Sequence, residues 1–234
     1  MRKRLISLCS LMIFFSLPTT SLATKDPLIE PYSATYSTTW RKGISFKVEG
    51  SQTLTQQNNG TWSFVFSAST MLASLKESVS FTLIDDQIRP LIYHYKSKVF
   101  GRKKEALLTF DWQAMKVKND IKNKPWKMDI HTGTLDKLGV QLQLRHDLIR
   151  QKTPLNYQIA DGGYLKDWAF KTVGKQTIST KLGQVEAIKV IRSDNRSKDR
   201  QTTFYFAPSF DYLLVKMQHK EDGESYLLEI ESLH

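Results

Sequence analysis

The sequence predicts a mainly β protein whose strands run antiparallel, and two observations carry that expectation. Apolar residues recur at every second position in segment after segment: Ile44, Phe46 and Val48; Trp62, Phe64, Phe66 and Ala68; Val79, Phe81 and Leu83. Side chains of a strand point alternately to opposite faces, so each segment buries one face and wets the other. Between the segments stand short turn signals. Connections that short join antiparallel neighbours, because parallel strands need long crossovers. The chain has no strand–helix–strand rhythm, which argues against a nucleotide-binding α/β fold. Twelve Phe, 9 Tyr and 5 Trp supply the bulk for a packed core, unlike a disordered chain.

The N-terminus reads as a leader. Arg2, Lys3 and Arg4 form a basic start, Leu5 to Leu17 is uncharged and apolar, and Ser21-Leu22-Ala23 places small residues two apart. That is a secretory signal peptide cut after Ala23. The apolar run stops at Pro18, short of the roughly 20 residues that cross a bilayer, and nothing later in the chain is long and apolar enough to do so. The only cysteine, Cys9, lies in the leader. It follows Leu8, where a lipoprotein acylation site would have a small residue. The mature chain therefore has neither disulfide nor thiolate chemistry. A large exported domain without cysteine fits a bacterial periplasm.

The net charge is +11; losing the leader removes three basic residues and no acid, leaving +8. A basic surface favours anionic partners. In an envelope these are lipid headgroups, lipopolysaccharide phosphates and acidic glycans, or an envelope protein. Export argues against nucleic acid.

Residues 24–31, "TKDPLIEP", are a polar lead-in with two prolines. From Tyr32 to His234 the pattern is that of a single β-rich domain, with no internal repeat and no shift in composition. Asn58-Asn59-Gly60 reads as a hairpin turn, since Asn-Gly accepts positive φ. Asp85-Asp86, Gly101, Asp111 to Ala114 and Asp222-Gly223 mark further reversals.

Residues 134–152, "TLDKLGVQLQLRHDLIRQK", resist this reading. Leu138, Val140, Leu142 and Leu144 alternate as in a strand. Leu135, Leu138, Leu142 and Ile149 are spaced as in a helix, but Val140, Leu144 and Leu148 then fall on nearly the opposite side, where a surface helix would be polar. Gly139 costs a helix about 1 kcal/mol relative to Ala. Thr134 is a candidate N-cap, and Asp136 suits a first turn. The pattern alone leaves strand and helix open.

The stretches "LDKLGVQLQLRHDL", "ADGG", "LGQVEAIKVIR" and "KDRQTTFYFAPSFDYLLVKMQHKEDG" resemble a family of exported bacterial proteins catalogued as domain of unknown function three-one-zero-eight. The likeness runs from about Tyr32 to the C-terminus and is strongest in the later part of the chain. It implies an antiparallel β protein with one helix near its middle, with Asp136, Gly139, Leu144 and Arg145 matching the family's helical stretch. The expected fold is thus a large curved antiparallel sheet, or an incomplete barrel, of roughly a dozen strands with a helix over 134–150 packed on its concave side. The family carries no established activity and implies no cofactor.

No constellation for catalysis stands out. His94, His131, His146, His219 and His234 form no pair at metal-site spacing, and there is no His-Glu-x-x-His. A Gly-x-Ser-x-Gly elbow is absent. Asp85-Asp86 and Asp161-Gly162-Gly163 suit turns better than paired catalytic acids. "DNRSKD", 194–199, lacks the glycine and glutamate of a calcium loop. The chain is expected to be non-catalytic. Two features could bind. Phe46, Trp62, Phe64, Phe66 and Phe81 share a strand parity and either line a cavity for a lipid-like ligand or fill a dry core. Arg102, Lys103 and Lys104 at one hairpin, with the lysines around Trp126, would make a cationic patch with an aromatic beside it, if the two segments are neighbours. Water-facing strands also carry lysine for solubility alone.

Overall fold

A computed structural model describes residues 30–42, 44–121, 124–194 and 200–234. The expected leader Met1 to Ala23, its expected cleavage site and most of the loop 194–199 lie outside the described residues.

The strands are β1 (Tyr32–Lys42), β2 (Ile44–Gln56), β3 (Trp62–Ser69), β4 (Ala73–Ile84), β5 (Gln87–Val99), β6 (Arg102–Asp111), β7 (Lys116–Ile121) and β8 (Lys124–Asp129). After helix α1 (Gly139–Ile149) come β9 (Leu155–Asp161), β10 (Tyr164–Thr180), β11 (Gly183–Arg192), β12 (Gln201–Ala207), β13 (Leu213–Glu221) and β14 (Glu224–Leu233). All fourteen belong to one antiparallel curved sheet, ordered β8 through β1, then β14 back to β9. Sequence neighbours pair throughout except β8 and β9, which α1 separates, and β1 pairs with β14. The edges are β8 and β9.

Tight turns set this meander. Asp85-Asp86, Phe100-Gly101, Gly162-Gly163 and Asp222-Gly223 each place two successive residues at positive φ. Their flanking residues pair directly, as in Ile84 with Gln87 and Val99 with Arg102. Two-residue turns of that hand match the right-handed twist of the strands they join. At the β2–β3 turn the Thr61 N–H donates to Asn59 Oδ1 at 3.0 Å.

The helix is shorter than the expected 134–150, and its start is built differently. Thr134 does not cap it. The Thr134 hydroxyl accepts the His131 N–H (3.1 Å) and donates to Gln158 Oε1 (3.1 Å). Leu135 lies extended along the β9 edge, where its N–H donates to the Gln158 carbonyl (2.9 Å) and its own carbonyl accepts the Ala160 N–H (2.8 Å). Asp136 takes the capping role: its Oδ1 accepts the N–H groups of Leu138 and Gly139, both at 2.8 Å. A side-chain oxygen there satisfies donors that the first turn leaves unpaired.

Both apolar stripes of α1 are buried, which is why its sequence looked ambiguous. Val140, Leu142, Leu144 and Leu148 are buried, and so are the polar Gln143, Arg145, His146 and Asp147 between them. A helix buried all round sits inside a fold rather than on it. Its polar side chains bond to both halves of the sheet. Gln143 Oε1 accepts the Ile88 N–H of β5 (2.8 Å), and Asp147 Oδ2 accepts the Tyr157 hydroxyl of β9 (2.8 Å). Arg145 Nε donates to the Asp211 carbonyl (2.7 Å), with its guanidinium 5.4 Å from the centre of the Tyr32 ring. These bonds satisfy groups that burial would otherwise penalise.

The two margins of the sheet meet at Trp126. Trp126 of β8 meets Tyr164 of β10 edge-to-face at 5.6 Å. Its indole lies so close to Gly163 that a Cβ there would fall 1.6 Å from the ring. No backbone ladder joins β8 to β9 among the described residues.

Candidate functional site

The inner face changes character along the strands. Towards the end that α1 fills, Trp62, Phe64, Val79, Phe81, Tyr93 and Leu108 are all at most 3% exposed. Trp62 and Phe81, cross-strand partners, stack at 6.5 Å. Two to four residues further along the same strands, Phe66, Leu75, Glu77, Tyr95 and Ser97 are only half-buried, and Lys104 is exposed. The other half of the sheet brings Trp168, Arg192, Thr202 and His219 to this end, all but the buried Thr202 half-buried. The sheet thus has a dry half, packed on the helix, and an open half.

The open half is polar, and its groups are tied to one another. The Tyr93 hydroxyl donates to Glu77 Oε1 at 2.5 Å, and burial pushes the Glu77 carboxyl above its ordinary pKa. Asp161 receives Lys166 (2.7 Å) and Lys137 (3.4 Å), and Lys137 also lies 5.4 Å from the centre of the Tyr95 ring. The Arg192 guanidinium sits 3.9 Å above Trp168. Thr202 Oγ1 and His219 Nδ1 are 2.7 Å apart, and His219 Nε2 is 3.2 Å from Glu221 Oε2. Burial, then the charges of Arg200 and Arg192, hold the His219 pKa below the ordinary value. Among the described residues no three His, Cys, Asp or Glu side chains converge on a metal-sized site.

The sequence-derived candidates separate. Trp62, Phe64 and Phe81 fill the dry half, and Phe66 borders the open half. The Phe46 side chain lies outside the described residues. Strand alternation splits the basic hairpin: Arg102 and Lys104, opposite Val99 and Ser97, share one parity, while Lys103, opposite Lys98, takes the other. Trp126 does not join them. It aligns with Asn119, which faces Leu108, and its ring goes to the far margin at Gly163. Lys116 pairs with Asp129, and Lys118 stands opposite Lys127.

The outer face holds a feature that the pattern of residues did not point to. A trough of about 640 Å³ crosses β2 to β6. Two outward rows line it, Ser51–Ser67–Lys76–Lys96–Glu105 and Glu49–Ser69–Ser74–Lys98–Lys103, with the small residues Gly50 and Ala68 in the floor between. Each of these residues is dispersed in sequence, and only the register assembles them.

Comparison with known proteins places the fold. The model of the family described as "Protein of unknown function (DUF3108)" matches residues 32–230. The chain belongs to that family. No curated protein matches it. Its fold is similar to that of a β-barrel-like protein of the DUF1849 domain of unknown function from Brucella abortus. That match has a TM-score of 0.55 at 9% identity and covers 87% of this chain and 96% of the other. LprF from Mycobacterium bovis aligns over 88% of this chain and 87% of its own at 12% identity. Its TM-score of 0.31 lends no weight to a functional comparison.

Proposed function

We propose that this is a non-catalytic binding protein of the bacterial envelope. In this reading residues 1–23 export it, residues 32–234 fold as one β-rich domain, and the open half of the inner face receives an anionic amphipathic, lipid-like molecule. One observation carries the reading: α1 covers the inner face over only part of its length, leaving Phe66, Leu75 and Tyr95 incompletely buried on strands whose neighbouring positions are dry. Apolar ligand surface buried there would gain about 25 cal/mol per Å². Arg102 and Lys104 at the rim have no acidic partner among the described residues and would face the anionic group. No helix among the described residues is long and apolar enough to cross a membrane.

The test is native mass spectrometry of the mature chain purified from a periplasm. A co-purifying amphiphile, lost in Ser97→Trp, which plugs the open half, supports the reading. A bare mass in the wild type, together with no uptake of a fluorescent anionic lipid, refutes it.

A second reading is favoured by the Thr202–His219–Glu221 line, whose order of hydroxyl, imidazole and carboxylate is that of an activated nucleophile. It makes the protein a hydrolase of envelope material. Ester hydrolysis abolished by His219→Gln would establish it, and equal rates in the two proteins would remove it.

A further inference from the structure

Three large apolar side chains stand in solvent on two adjacent hairpins. Met71 (99% exposed) and Leu72 (54%) form the β3–β4 tip, and Phe100 (61%) the β5–β6 tip. Neither tip is loose. Thr70 Oγ1 accepts the N–H groups of Leu72 (3.3 Å) and Ala73 (3.0 Å), and the Phe100 N–H donates to the Leu72 carbonyl (3.0 Å), lacing the two turns together. The tips therefore present an ordered apolar point, and a contiguous exposed apolar feature marks an interaction surface.

Beside it the outer face is cationic in an unusual register. Lys76 stands opposite Lys96, and Lys98 opposite Lys103. Like charges directly opposite each other destabilise an antiparallel pair. Lys96 is relieved by Glu105 at 3.2 Å, but Lys76, Lys98 and Lys103 have no acidic partner among the described residues. Protection of a sheet edge does not explain them, because β4, β5 and β6 are interior strands. The same lysines line the trough, beside its serines.

An apolar point with a cationic collar is the chemistry of an interfacial membrane contact: apolar residues enter the boundary between headgroups and acyl chains, and lysines meet lipid phosphates. We propose that this end of the molecule docks on an anionic bilayer surface. Met71, Leu72 and Phe100 insert, while Lys76, Lys98 and Lys103 hold lipid phosphates against the trough. This stands on the tips and the register, whatever the interior holds. Docking would also turn the open half of the inner face towards the lipid.

Vesicle sedimentation of the mature chain tests it. Binding is expected to phosphatidylglycerol–phosphatidylethanolamine vesicles and to be at least about tenfold weaker to pure phosphatidylcholine. Lys98→Glu with Lys103→Glu should weaken binding by about tenfold or more, as should Met71→Ser, Leu72→Ser and Phe100→Ser combined. All five positions are exposed, and circular dichroism checks that the variants fold. Tyr95→Ala, on the inner face and outside the lining of the trough, should leave vesicle binding unchanged, so the two proposals fail separately. Equal binding to both vesicle types, full binding by the tip variant, or displacement by millimolar glycerol phosphate, which would mark a free-phosphate site, would overturn it.

Discussion

Asp136 concentrates the electrostatic cost of the interior in one side chain. It is fully buried, its Oδ1 caps α1, and its Oδ2 has no hydrogen-bond partner. Burial pushes its pKa from 3.8 to about 7, against the lowering effect of the Gly139 and Leu138 N–H groups. Between about pH 4 and 7 the folded chain holds a proton that the unfolded chain has released. This group's contribution to stability is therefore most favourable below pH 4, declines as pH rises to 7, and is level above. Glu77, also raised by burial, adds in the same direction. Asp136→Asn keeps an oxygen for the cap and removes the charge. Its expected effect is to narrow the stability gap between pH 5 and pH 8, with a higher urea midpoint than wild type at pH 8. An unchanged gap would show that the pH dependence comes from elsewhere.

At the scale of the element, α1 is held by polar bonds as much as by packing. Gln143→Leu removes the acceptor of the Ile88 N–H, leaving a buried donor unpaired at a cost of about 1–3 kcal/mol, readable in denaturant titrations. The strands were legible in the sequence because one face of each is dry: the alternation of Trp62, Phe64 and Val79, Phe81 is the dry half itself. The helix was not legible from its own pattern. Burial on all sides erases the polar stripe by which a helix is usually read, and only the family resemblance tipped the reading. Its first turn was placed too early because Thr134 and Leu135 are spent on β9, a contact set by tertiary structure. The basic residues 102–104 looked like a single cluster, yet alternation sends Lys103 one way and its two neighbours the other. Trp126 finds Gly163 and Tyr164 across the margin, a pairing that local spacing does not encode. Met71 and Leu72 are turn residues and carry no periodicity by which to judge burial.

At the scale of the whole molecule, the curl of the sheet ends at the Trp126–Gly163 contact. Gly163 has φ +84, and any Cβ there collides with the indole. Gly163→Ala is expected to push the margins apart. Amide hydrogen exchange should rise in β8 and β9 and stay slow at the β1–β14 pairing. Uniform loss of protection would instead mean that the turn governs global stability. The β1–β14 pairing has its own bearing on how the molecule comes into being. Ser33 and His234 exchange backbone bonds in both directions, at 3.0 and 2.7 Å. Strand β1 therefore stays open on one side until β14, the strand most distant from it in sequence, has been made. In that interval the open edge of β1 is a template for wrong pairing, and a chaperone that covers it serves the chain better than speed.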